Sequence, residues 1–117
     1  MTRYGGPVDN ASDNALQITI DHADAAQVVV AVGGEVDPHT APELEAALDK
    51  VTADDGAGRV VVDLGAVSFL DSSGLRVLIS AHQNLKSTDR SLVLRNLRPT
   101  TRQLFEITQL VDEMNIE

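Results

Sequence analysis

Five consecutive apolar residues, Val28-Val29-Val30-Ala31-Val32, end abruptly at Gly33-Gly34. An unbroken run that is mostly β-branched reads as a central strand of a sheet. Val60 to Leu64 reads as a second buried strand, and between the two the apolar residues Leu44, Ala47, Leu48 and Val51 recur at helical spacing. Strand, helix and strand within this span imply a right-handed parallel crossover. Thr40, with Pro42 in the first turn and Glu43 three positions on, matches a capping box opening the helix, and Asp54-Asp55-Gly56-Ala57-Gly58 stops it. The unit then repeats. A helix from about Ser73 to Ser87 turns Leu75, Leu78, Ile79 and Leu85 inward, a strand covers Leu92 to Leu94, and a last helix near Pro99 to Val111 carries Leu104, Ile107 and Val111.

Upstream, Leu16, Ile18 and Ile20 alternate with Gln17, Thr19 and Asp21, the period of a half-buried strand. The short link from His22 to Ala26 favours antiparallel pairing with the next strand. Residues 1–14 are rich in Gly, Asn, Asp and Ser without hydrophobic period, and read as a flexible arm ahead of a domain over 15–117. The fold class expected is α/β, a single domain whose mixed four- or five-stranded sheet packs with amphipathic helices. A chain of 117 residues suits one such domain, which buries about two thirds of its surface on folding. With one Tyr, two Phe and no Trp, its core must be aliphatic.

Composition narrows the function. Nine basic against 18 acidic residues give a formal net charge of −9, which opposes nucleic-acid binding and favours protein partners. Residues 1–58 hold 11 acidic and 2 basic side chains, whereas 59–111 hold 4 acidic and 7 basic. The absence of cysteine excludes disulfides, thiolate nucleophiles and Cys-ligated zinc. No signal-peptide pattern or long apolar span occurs, so the expectation is a cytoplasmic protein with no membrane partner. The Asn10-Ala11-Ser12 glycosylation pattern therefore has no consequence. His22, His39 and His82 lack metal-pair spacing, and no metal site is expected.

In parallel crossovers, the loops leaving the carboxyl ends of the strands share one rim, where sites are usually built. Here those loops are Gly34-Glu35-Val36-Asp37 and Ala66 to Gly74, which should be neighbours in space. The second ends in Asp71-Ser72-Ser73-Gly74 before an apolar helical stretch, so Ser72 falls at or near an N-cap. Its hydroxyl could simply accept from a first-turn amide, worth about 1 kcal/mol. Phe69 and Leu70 could plug the core or form an apolar patch at a protein interface. No Gly-x-Ser-x-Gly elbow surrounds Ser72, which argues against a catalytic nucleophile. With neither a Walker loop nor a glycine-rich nucleotide fingerprint, no cofactor is expected.

Gly34-Glu35-Val36-Asp37, the Val60 to Leu64 strand, Ser68-Phe69-Leu70-Asp71-Ser72-Ser73-Gly74-Leu75 and the later TRQLFE phrase over 101–106 together resemble the STAS domains of bacterial anti-sigma factor antagonists. The resemblance spans about residues 15–112. It implies partner switching. The unphosphorylated antagonist captures an anti-sigma factor that is also an ATP-dependent serine kinase and so releases the sigma factor. Phosphorylation ends the capture, and a metal-dependent serine phosphatase restores it. The implied phosphoacceptor is Ser72, and the implied docking surface comprises Glu35, Asp37, Asp71, Ser73 and Gly74, with Phe69 and Leu70 beside it. The chain would then be no enzyme, and a monomer or weak dimer. A STAS domain acting as a scaffold in a stress-signalling assembly, or as an accessory transporter subunit, is the alternative. Thr108-Gln109-Leu110 departs from the family pattern, in which a Gly is frequent before the hydrophobic residue.

Overall fold

Valine and isoleucine lose little in an extended backbone, and here they set the sheet. The computed structural model describes residues 2–4, 16–53 and 57–117. The Asp54-Asp55-Gly56 part of the expected helix stop, the glycosylation pattern and most of the expected arm lie outside them. Thr2–Tyr4 form a short strand, β1, antiparallel to β2 (Gln17–Asp24), so this part of the expected flexible arm pairs with the sheet edge. β2 runs antiparallel to β3 (Gln27–Val36), as the short link implied. Parallel partners follow: β4 (Arg59–Leu70) beside β3, β5 (Ser91–Arg95) beside β4, and the two-residue β6 (Asn115–Ile116) beside β5. The order is therefore sequential, β1 to β6. The mixed sheet has four principal strands, β2 to β5, with the two short strands added at its edges.

Helices α1 (Ala41–Ala53), α2 (Ser72–Lys86) and α3 (Pro99–Ile107) fill the three parallel connections. Their buried side chains join Val28, Val30 and Val32 of β3 and Val60, Val62 and Leu64 of β4 in one continuous core. All three helices thus cover the same face of the sheet, as three right-handed crossovers stepping in one direction require. Val61 and Val93 are also buried but point to the other face, where Arg59 and Arg95 both pair with Glu117.

Two elements differ from expectation in a way that builds the site. β3 continues through Gly33-Gly34 to Val36, and β4 continues through the expected loop to Leu70. Gly34 makes the extension possible. Its φ of 105° lies in a region closed to side chains, and the register shifts beside it, leaving Ser68 as the extra residue of a bulge. β4 pairs with β5 only over Arg59 to Asp63, so the β3–β4 pair projects beyond the rest of the sheet.

Helix α3 is shorter than its pattern suggested, and Ile107, one of the three apolar residues the pattern places on it, is 71 % exposed. The inward stripe is Thr101 and Phe105, with Leu104 half-buried: the largest side chain in the segment took the core and rotated the helix accordingly. On α2 the buried set includes Val77, Ala81 and His82, while Ile79 is only half-buried.

Candidate functional site

The projecting ends of β3 and β4 and the first turn of α2 meet at one rim. Glu35 pairs with Phe69 and Val36 with Leu70 across the parallel ladder. Alternation then decides which side chains face outward. Glu35 and Phe69 are exposed, Phe69 by 49 %, while Val36 and Leu70 turn into the core. The expected interface residue Leu70 is therefore a core residue, and only Phe69 presents apolar surface.

Asp37 organises the turn from β3 into α1. Its Oδ1 accepts from the amides of His39 and Thr40, both at 2.9 Å. The Thr40 hydroxyl accepts from the Asp37 amide at 3.0 Å and donates to the Glu35 carbonyl at 2.7 Å. This replaces the expected capping box: the Thr40 hydroxyl points back into the turn, and the Glu43 amide donates to the Thr40 carbonyl at 2.9 Å. Thr40, buried at 1 % exposure, is thus a structural pin of the rim that sequence reading credited only as a cap. The Thr40 amide, more than any other group, holds the Asp37 carboxyl below the usual carboxylate range; the His39 amide, Thr40 hydroxyl and His39 charge add to it, against an opposing desolvation.

Asp71 joins the two strand ends to α2. Its amide donates to the Val36 carbonyl at 3.2 Å, and its extended backbone makes it the N-cap of α2. Its Oδ1 accepts from the Ser73 amide at 2.9 Å and from the Ser73 hydroxyl. Ser72 is accordingly not the cap but the first helical residue. Its side chain is exposed, and no hydrogen bond holds its hydroxyl among the described residues. The two adjacent serines are therefore unequal: Ser73 is engaged and half-buried, Ser72 is free.

Gly74 is buried rather than a surface contact. A Cβ there would stand 2.6 Å from Val36 Cγ1 and 3.0 Å from Leu70 Cγ, so only glycine lets the helix start sit down on the strand ends. The resemblance implies Gly74 as part of the docking surface; with Val36 and Leu70 turned inward it lies beneath that surface instead. Among the described residues, no group of three or more His, Asp or Glu side chains could hold a metal ion. The rim thus consists of the exposed Glu35, Phe69 and Ser72 and the half-buried Asp37, Asp71 and Ser73: three carboxylates, one aromatic and two hydroxyls, chemistry suited to contact and modification.

Comparison with known proteins decides the family. A model described as the STAS domain matches residues 15–117. The chain belongs to the STAS domain family. This STAS domain is 35 % identical over 102 residues to the anti-sigma-B factor antagonist of Listeria monocytogenes, covering 87 % of this chain and 89 % of the relative. It is 38 % identical over 87 residues to the anti-sigma-B factor antagonist of Staphylococcus aureus, covering 74 % and 80 %. A crystal structure of an anti-sigma factor antagonist from Mycobacterium paratuberculosis superposes with a TM-score of 0.81 at 31 % identity, covering 90 % of this chain and 87 % of that one. The resemblance carried by the Gly34 to Asp37 and Ser68 to Leu75 segments and the α/β fold expected from the sequence are both borne out.

Proposed function

We propose that this STAS domain is an anti-sigma factor antagonist: unphosphorylated, it binds an anti-sigma factor serine kinase through the rim and frees the sigma factor, and phosphorylation of Ser72 switches it off. One observation carries the reading. The Ser72 hydroxyl stands exposed and unbonded at the first position of α2, beside the rim carboxylates, while its neighbour Ser73 is occupied by Asp71. A phosphoryl group on Ser72 would add roughly −1.5 to −2 charge where the helix dipole favours an anion. The helix survives the modification while the rim around it changes sharply. Phe69 and Glu35, side by side on the projecting strands, extend the contact surface, and residues 15–117 form the unit that docks. On this reading the chain is a ligand and substrate of other proteins, acts in the cytoplasm, and is restored by a serine phosphatase. The names of the Listeria and Staphylococcus relatives support the same assignment.

Incubation with the cognate anti-sigma serine kinase and ATP tests it. One phosphate is expected, mapped by peptide mass to Ser72. Phosphate found mainly on Ser73, or undiminished in Ser72→Ala, overturns the assignment.

A further inference from the structure

Ser72 and Arg76 stand four residues apart on α2, and both are exposed. In an α-helix this spacing puts two side chains one above the other on the same face. Leu75, at the other neighbouring spacing, is buried and faces the core, so Arg76 is the residue that shares the outward face with Ser72. The Arg76 guanidinium makes no hydrogen bond or ion pair among the described residues. The other ionisable groups of the rim are the acidic Glu35, Asp37 and Asp71, together with the exposed His39, whose amide bonds Asp37. The remaining ionisable residues of α2, His82 and Lys86, lie six and ten residues beyond Arg76, His82 turned into the core.

We propose that Arg76 is the receiver for a phosphoryl group on Ser72, closing an intrahelical clamp in which the guanidinium fork bonds the phosphate oxygens. The order is the favourable one, with the anion toward the helix N-terminus and the cation a turn later. Guanidinium and phosphate match in geometry as two parallel N–H donors to two oxygens, a fit that an ammonium lacks. The clamp gives the modification a second effect. In the unmodified protein Arg76 is a free cation beside an acidic rim and available to a partner; once Ser72 is phosphorylated it is drawn onto the phosphate. Phosphorylation thus adds an anion to the surface and withdraws a cation from it.

The proposal rests on Ser72 being the residue modified, and its test is independent of any kinase. Phosphoserine is installed at position 72 during translation, in the parent and in Arg76→Ala, Arg76→Lys and Arg102→Ala variants, and the phosphate is titrated by phosphorus NMR. The acidic rim residues, His39 and the helix dipole are common to all four proteins, so their influence cancels in the comparison. The second ionisation of the phosphate is expected about half a unit lower in the parent than in Arg76→Ala. Arg76→Lys should retain part of that shift, Arg102→Ala all of it, and molar salt should shrink it. Coincident titrations for the parent and Arg76→Ala, or an equal change in Arg102→Ala, overturn the clamp. Alanine at an exposed helical position keeps the fold, which a melting curve of each phosphoprotein verifies. If the clamp is found but kinase treatment modifies a different residue, the switch reading fails while the clamp stands; the reverse outcome is equally distinct.

Discussion

Gln109 holds a backbone conformation that side chains resist. Its φ is 62°, in the left-handed region, directly after the α3 C-cap Thr108. The Gln109 amide donates to the Glu106 carbonyl at 3.1 Å and the Leu110 amide to the Phe105 carbonyl at 2.9 Å, the bond pair of a Schellman ending. The departure from the family pattern at this position therefore leaves the turn intact but costs strain that glycine would not incur. Gln109→Gly is expected to stabilise the protein by about 1 kcal/mol, read as a shift in the urea midpoint at unchanged slope. An unchanged or lower midpoint would refute the strain account. Gly74 is the opposite case. Gly74→Ala must push a methyl into Val36 and Leu70 and should cost roughly 1–3 kcal/mol. Because those two residues end β3 and β4, the same substitution should also weaken partner binding by more than its stability loss alone predicts.

At the scale of elements, the rim depends on two carboxylates that act on backbone amides. Asp71 caps α2, and Asp71→Ala should cost about 1 kcal/mol while freeing the Ser73 hydroxyl. Asp37 holds the turn between β3 and α1, and its folded carboxyl titrates below the unfolded value. A depressed carboxyl contributes stability that is present above the unfolded value, about 3.9, and is lost as pH falls through the folded one. The gap in melting temperature between the parent and Asp37→Ala should therefore be widest near neutrality and close in acid; a gap independent of pH would contradict it. These elements also show what the sequence could convey. Val28 to Val32, Val60 to Leu64 and the helical stripe of α1 announced the parallel crossover, because burial on both faces leaves a continuous apolar run and a one-sided helix leaves a stripe. The site was legible as a set of residues but not as a surface. Gly33-Gly34 reads as a strand end, yet the ladder runs through it, since the positive φ of Gly34 and the bulge at Ser68 restore pairing beyond. That unseen extension decides that Leu70 and Gly74 are buried and that Phe69 and Glu35 stand together outside. The facing of α3 was not legible for a simpler reason: Leu104 and Phe105 both fit a helical period, and only packing selects between the stripes they start.

For the whole molecule, the three helices occupy one face of the sheet, and the rim lies at the projecting carboxyl ends of β3 and β4. With a formal net charge of −9, one more negative charge changes the overall field little. A switch that worked through net charge would be weak and largely screened, since fields between exposed groups fade over about 8 Å at physiological ionic strength. A switch that works at the contact itself loses the packing and desolvation match of groups already docked, and losing roughly 3–4 kcal/mol there weakens binding a few hundred-fold. Ser72→Asp separates the two. Aspartate at the start of a helix is favoured by the dipole, so the melting temperature should stay near that of the parent. Affinity for the anti-sigma partner should fall, by less than with a phosphate because the charge is smaller and lacks the third oxygen. Ser72→Ala adds no charge, and since the hydroxyl caps nothing it should bind like the unmodified parent and be insensitive to kinase and ATP. Affinities of the three proteins measured across salt then decide the mechanism. If the loss in Ser72→Asp persists at high salt, the switch is local to the rim, as its geometry implies; if the loss vanishes with salt, long-range repulsion from an acidic molecule is responsible and the contact mechanism is wrong.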